Sequence, residues 1–324
     1  MAQPTRAQIH VDSFLTDMSV AMFQNPANFI AGQVFQDVSV KKQSDLYAIY
    51  DMADFRRDAA EKRAPATESV GGGYRVSNEQ YFCEKYAYHK DVTEEDRVNS
   101  DQPLDADRDA VDFVMQKMLI LKERIWRDNF FTTGIWDTDL VGGVDFTVWD
   151  NAASTPIKDI SDAQMVVGAL TGLKMNTLVL SPPVRAVLND NPDVLERIQY
   201  GGTPGAPAVV TDSALAQCFG VDRILVPWGV INTAAEGATE YTDFIFGKDA
   251  MLCYTEPGTG KKKPTAGRTF HWTGLLGSGA MGVRVNRLPM DLLGLGTERI
   301  EAEVAFVMKA ISTVLGTFFD GVVT

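Results

Sequence analysis

Residues 104–130 read LDADRDAVDFVMQKMLILKERIWRDNF, and this stretch decides the fold. Val111, Val114, Met118, Leu121 and Ile125 recur at alternating spacings of three and four, which places them on one stripe of a helix. Asp105, Asp107 and Asp109 stand near its start, where the helix dipole favours negative charge. Lys117, Lys122, Arg124 and Arg127 come later, where it favours positive charge. A helix of about 25 residues runs ~38 Å, long for one element of a compact domain. Gly134 marks the end of its C-terminal tail.

On the N-terminal side, two strands are predicted, Leu46 to Tyr50 and Tyr81 to Tyr88, both rich in aromatic and branched side chains. Between them Arg56 to Gly73 is charged and polar, with Pro65 and the run Gly71-Gly72-Gly73. A hairpin needs only a few linking residues. So long a tip predicts an extended arm, a functional loop or a disordered loop. Further upstream, Phe14, Met18 and Met22 suggest a short helix, which Asn25-Pro26 breaks. Phe29, Ile30, Val34, Phe35, Val38 and Val40 then offer apolar groups in a stretch too short to build a core. Residues 1–45 therefore form an arm that packs on its own chain or on a neighbour.

On the C-terminal side, residues 155–255 read as an α/β region. Thr177 to Leu180 is a buried strand, and Ser181-Pro182-Pro183 starts a helix through Leu188. A Gly/Pro-rich loop spans Gly201 to Pro207, and Asp212 or Ser213 caps a helix to Phe219. Ile224 to Val226 and Phe244 to Phe246 are further strands. In residues 261–324 the strands are Phe270 to Trp272, Val283 to Val285 and Ile300 to Val307.

Composition narrows the function. The 324 residues carry 43 acids and 30 bases, a formal net charge of −13. That sign disfavours binding to nucleic acid or anionic membranes through a basic surface. The segment from Asp91 to Asp112 holds nine acids against Arg97 and Arg108, more than half of the excess. A solvated loop and helix start would explain it equally well. No apolar run approaches the ~20 residues of a membrane span, and Met1 to His10 lacks a signal-peptide core. Cys83, Cys218 and Cys253 lack metal-ligand spacing and read as reduced thiols, which fits an intracellular assembly site.

No catalytic constellation emerges, so no catalytic, cofactor or metal residues are expected. His10, His89 and His271 have no nucleophile or carboxylate at a catalytic spacing, and nothing resembles a zinc site. Gly277, Gly279 and Gly282 match a dinucleotide fingerprint, but a strand follows where a helix is required. Gly258-Thr259-Gly260-Lys261 resembles a phosphate loop, yet Lys262 replaces the Ser/Thr that would hold magnesium. Ser278 lacks the nucleophile elbow. Arms, a long helix and mixed regions without a reaction centre fit a protein that contacts copies of itself.

Five strings, in order, resemble the major capsid proteins of tailed bacteriophages. They begin with Asn28-Phe29-Ile30-Ala31, Val34-Phe35 and Val38-Ser39-Val40, then Tyr47, Tyr50-Asp51 and Phe55-Arg56. Tyr81-Phe82-Cys83-Glu84 precedes Pro103-Leu104-Asp105 and Glu123. Leu178 to Val184 leads to Ile198-Gln199-Tyr200. Leu215 to Val221 leads to Phe246 through Ala250 and Pro264 to Trp272. The resemblance implies an α+β, HK97-like shell fold. Its parts would be an N-terminal arm (1–45), an extended hairpin loop (46–100), the spine helix with the first part of a peripheral domain (101–154), an axial domain (155–255) and the rest of the peripheral domain (256–324).

The resemblance further implies pentamers and hexamers of an icosahedral virion shell, assembled in the host cytoplasm around double-stranded DNA that it does not read. A portal, a separate scaffolding protein or none, and decoration proteins where present would be partners. The same fold also serves cellular nanocompartments of the encapsulin type, and a soluble α/β enzyme stays open as a different class. Lys62 lies on the loop where some members crosslink, but no partner matches, so no crosslink is expected. Arg56, Arg57, Asp58, Glu61, Lys62 and Arg63 are the expected contacts to a neighbouring subunit. Asp101, Asp105, Asp107 and Asp109 are expected to face the interior or a subunit junction, where acids repel packed DNA.

Overall fold

One long helix lies against the first of two sheets and leads at its C-terminal end to the second. The computed structural model describes residues 24–50, 52–100, 105–201, 210–256, 263–276, 283–290 and 292–324. The expected helix through Phe14, Met18 and Met22, the acid Asp101, most of the 201–207 loop and the glycine patterns at 258–261 and 277–282 lie outside them.

After a turn at Pro26–Asn28 capped by Asn25, the arm forms α1 (Ala31–Val34) and β1 (Gln36–Val40). β2 (Ser44–Tyr50) leads through α2 (Met52–Phe55) and the polar tip to β3 (Val76–Phe82). β2 and β3 pair antiparallel, from Ser44 opposite Phe82 to Tyr50 opposite Val76. Across Cys83 the chain continues as β4 (Glu84–Val92), then α3 (Glu94–Asn99) with a Thr93/Asp96 capping box. The expected strand Tyr81 to Tyr88 is thus two strands. Its first part stays in the hairpin, and its second joins a sheet.

α4 (Ala106–Phe130) is the predicted long helix, with Asp105 accepting from the backbone N–H of Asp107 and Arg108. β5 (Thr138–Val141), α5 (Pro156–Thr171), β6 (Thr177–Leu180), α6 (Pro182–Val187) and α7 (Pro192–Gly201) follow. α8 (Asp212–Phe219) is capped by Thr211, not by Asp212 or Ser213, because the Thr211 hydroxyl reaches the Ala214 N–H. β7 (Arg223–Leu225), β8 (Val230–Asn232), β9 (Thr242–Phe244) and β10 (Ala250–Cys253) come next. The chain ends through β11 (Gly267–Trp272), α9 (Thr273–Leu276), β12 (Val283–Pro289), β13 (Glu298–Ala310) and β14 (Gly316–Asp320).

β13 is the axis of the first sheet. It pairs antiparallel with β12, with β4 and with β11, and β11 pairs parallel with β1 of the arm. The second sheet runs β5-β14-β10-β6-β7. Residues 256–324 contribute strands to both sheets. β14 crosses into the sheet that holds Thr177–Leu180, and Thr138–Val141 lies beside it. Gly316 permits this crossing, since a Cβ there would sit 2.2 Å from the Trp136 ring.

The buried line of α4 also differs from the expected stripe. Ala110, Val114, Met118, Glu123, Trp126 and Phe130 are buried, while Val111, Leu121 and Ile125 are only half-buried. The helix is covered twice, by β4 and β13 and by α1 of the arm, so its buried strip turns along its length. Phe29, Ile30, Val34 and Phe35 are buried too, so this part of the arm packs on its own chain. Phe35 makes edge contacts with Trp126 and Phe130, and Trp126 meets Phe131 and Phe246. Phe131 then reaches Phe318 of β14. One chain of rings thus joins arm, long helix and second sheet.

Candidate functional site: an assembly surface

The arm is held by two consecutive residues of α4. Glu123 accepts the backbone N–H groups of Ile30 and Ala31, both at 2.9 Å. Burial pushes its carboxyl up to about 7, against the pull of those two N–H groups and of Lys122. Lys122 pairs with Asp37 of β1 at 3.1 Å, and His271 of β11 hydrogen-bonds the same carboxylate at 3.0 Å. Burial pushes Asp37 up, but the His271 hydrogen bond and the Lys122 charge outweigh it and hold it low. Arg223 donates to the Gln33 carbonyl and to the hydroxyls of Thr177 and Thr255, tying the arm to the second sheet. Sequence reasoning gave Glu123 no such role. Its signal was its place on the apolar face, three residues after Ile120 and three before Trp126.

The hairpin of β2 and β3 projects from a small aromatic base. Tyr81 stacks on Phe270 with ring centroids 4.9 Å apart, and Cys83 is buried beside them. Burial raises the Cys83 thiol to about 11, so it stays protonated and unreactive. Away from that base the hairpin has no core. At its far end Tyr50, Phe55 and Tyr74 cluster, yet Phe55 and Tyr74 each remain 61% exposed. Arg75 pairs with Asp54 there.

The six expected loop contacts all lie on this exposed tip. Arg63 donates to the Thr67 carbonyl and Arg56 to the Met52 sulfur. Among the described residues, none of Arg56, Arg57, Asp58, Glu61, Lys62 and Arg63 forms an ion pair within 4.0 Å, so their charges are left to solvent or to another molecule.

The acidic window is different. Asp107 pairs with Arg97 at 3.0 Å and with Arg287 of β12 at 3.2 Å. Arg97 also reaches Glu298, and Asp91 pairs with Arg299 of β13. Asp105 is spent on the helix cap, and Asp109 is half-buried in the first turn. Part of the local excess is thus matched by two arginines about 200 residues away, Arg287 and Arg299, while Glu94, Glu95 and Asp112 stay exposed. Nearby, Glu303 lies between Lys85 (2.5 Å) and Arg284 (2.6 Å); burial pushes it up, but these partners hold it down at about 2.

Among the described residues no three metal-ligating side chains cluster, and no helix is long and apolar enough to cross a membrane. A shallow depression of about 300 Å³ lies beside Lys174, Asn176, Asp222 and Glu256.

A projecting hairpin, a strapped arm and a long helix against one of two sheets define a shell-type architecture. The chain has the α+β, HK97-like capsid fold. It superposes on a phage-related protein from Bordetella bronchiseptica RB50 with a TM-score of 0.68 at 18% identity, covering 96% of this chain and 97% of that one. The capsid of the cyanophage P-SCSP1u gives 0.55 at 12% identity, over 89% and 86% of the two chains. The SrpI encapsulin of Synechococcus elongatus PCC 7942 gives 0.57 at 11% identity, over 97% of each. No protein-family model and no curated protein sequence matches the chain.

Proposed function

We propose that this chain is the major capsid protein of a tailed bacteriophage. Pentamers and hexamers of it would close an icosahedral shell around double-stranded DNA, with no catalytic role. The observation that carries this reading is the hairpin tip, whose aromatic cluster and unpaired charges have no use within one subunit. A portal, and a scaffolding protein where one is used, would act with it during assembly in the host cytoplasm. In this reading the arm and hairpin are the flexible joints, and the regions around the two sheets are the peripheral and axial domains. Curvature differences between pentamers and hexamers are absorbed by joints that swing while keeping their partners.

Electron microscopy of the expressed full chain tests it. Uniform closed particles with five- and six-fold clusters are expected, and a population of monomers or small oligomers only would overturn the reading. A cellular nanocompartment is the second reading, because the encapsulin and phage shells superpose about equally, at TM-scores of 0.57 and 0.55. Particles that enclose a protein cargo, encoded away from portal and terminase genes, would decide for it.

A further inference from the structure

The long helix α4 keeps a third side, at the margin of β4, that stays open to solvent. Phe113, Lys117, Ile120 and Arg124 follow one another at spacings of four, three and four, so they form one line along the helix. At ~1.5 Å per residue the line is about 16 Å long. Phe113 and Ile120 are half-buried, while Lys117 and Arg124 are exposed. Apolar and cationic side chains thus alternate along it. Asp109 and Asp128 continue the line at its two ends, and Asp128 is already paired with Arg127.

β4 widens this line from one flank. Tyr88, 41% exposed, lies 6.0 Å from Phe113 between ring centroids. The ammonium groups of Lys90 and Lys117 stand 5.5 and 5.3 Å from the centre of the same Phe113 ring. Among the described residues, none of Lys90, Lys117 and Arg124 forms an ion pair within 4.0 Å. The chain has 43 acids, yet these three cations are left without a carboxylate there.

The pattern selects its partner. Half-buried apolar groups between cations are complemented by apolar groups between acids. Duplex DNA fits less well, because it presents phosphates outward without apolar side chains and meets a chain of net charge −13. An amphipathic helix fits, since its own spacings of three and four set carboxylates opposite Lys117 and Arg124 and apolar groups opposite Phe113 and Ile120.

We propose that this side of α4 receives an acidic amphipathic helical segment of another protein. Lys90, Lys117 and Arg124 pair with its carboxylates, and Tyr88, Phe113 and Ile120 cover its apolar side chains. The surface lies within one subunit and goes beyond the shell reading, so it holds or fails whether or not particles form.

Fluorescence anisotropy on the full chain tests it. The probe is a labelled helical peptide of about 15 residues, ~22 Å long, in which Leu and Glu alternate along one face at spacings of four and three. Saturable binding is expected, weakening as salt is raised. Lys117→Glu with Arg124→Glu should lower the affinity about tenfold or more, because like charges then face each other. A second peptide with Lys in place of each Glu should bind this double variant better than it binds the wild type. A third peptide with Ser in place of each Leu should lose most of the affinity for the wild type. Should the double variant fail to fold, Lys90→Glu, at an exposed position of β4, is measured in its place with the same expectation. No saturable binding to the wild type, or undiminished binding to a folded variant, overturns the proposal. Duplex DNA that displaces the peptide from the wild type and binds more tightly than it does would overturn it in favour of a nucleic-acid surface.

Discussion

Glu123 is an acid on the apolar face of a helix, and it stays there because two backbone donors from the arm meet it. Its carboxyl is pushed up to about 7 from an ordinary 4.5, with burial as the main cause. The folded subunit thus holds this proton more tightly than the unfolded chain. The resulting stabilisation is complete below 4.5 and is lost as pH rises through about 7. Its size is on the order of 3 kcal/mol. Asp37 works in the opposite sense, since its carboxyl is held low, and what it contributes is lost on acidification. In urea unfolding of the unassembled subunit, stability should therefore fall between about pH 4.5 and 7, and Glu123→Gln should flatten that fall. An unchanged slope in the variant would remove Glu123 as its source. Glu123→Ala should cost more than Glu123→Gln at every pH, because it leaves two buried N–H groups without an acceptor, at about 1–3 kcal/mol each.

Among the elements, those with a strong local signal were legible in advance. The periodicity and end charges of residues 104–130 marked α4, and aromatic runs around a long polar tip marked the hairpin. What decides the architecture was less visible. β14 is a five-residue strand whose sheet partners are about 70 and 180 residues away, so nothing local says which sheet it enters. The split at Cys83 was hidden because Tyr81 and Tyr86 read as one aromatic run although they serve different sheets. The arginine partners of the acidic window were equally invisible, since Asp91 and Arg299 are brought together only by the β4–β13 register. The hairpin's independence from the core leads to a prediction at this scale. Among the described residues its packed base is near Tyr81, Cys83 and Phe270, far from the tip along both strands. Removing residues 58–70 should leave the unfolding temperature of the isolated subunit within a few degrees of wild type, as expected for a surface loop. The same deletion should abolish closed particles in electron micrographs. Normal shells from the shortened chain would show that the tip makes no necessary contact.

At the scale of the whole molecule, the net charge of −13 has to be placed in space before it explains anything. Part of the acidic window is internally matched, through Asp107 with Arg97 and Arg287 and through Asp91 with Arg299. What remains uncompensated at the foot of α4 is the exposed Asp105, the half-buried Asp109 and the exposed Asp112. In a shell each such charge is repeated once per subunit, so a weak local repulsion becomes a property of a wall. If that wall faces the lumen or a junction opening onto it, DNA is kept from adhering to the shell. Asp105→Asn keeps a good helix cap, and Asp109→Lys reverses a first-turn charge without touching the Asp107 pairs. Particles of this double variant should retain several-fold more nuclease-protected nucleic acid than wild type, judged by the ratio of absorbance at about 260 and 280 nm, and should release it as salt is raised. Equal nucleic-acid content in the two particles would place this acidic foot away from the enclosed space, and its charge would then serve only the helix start and the contacts between subunits.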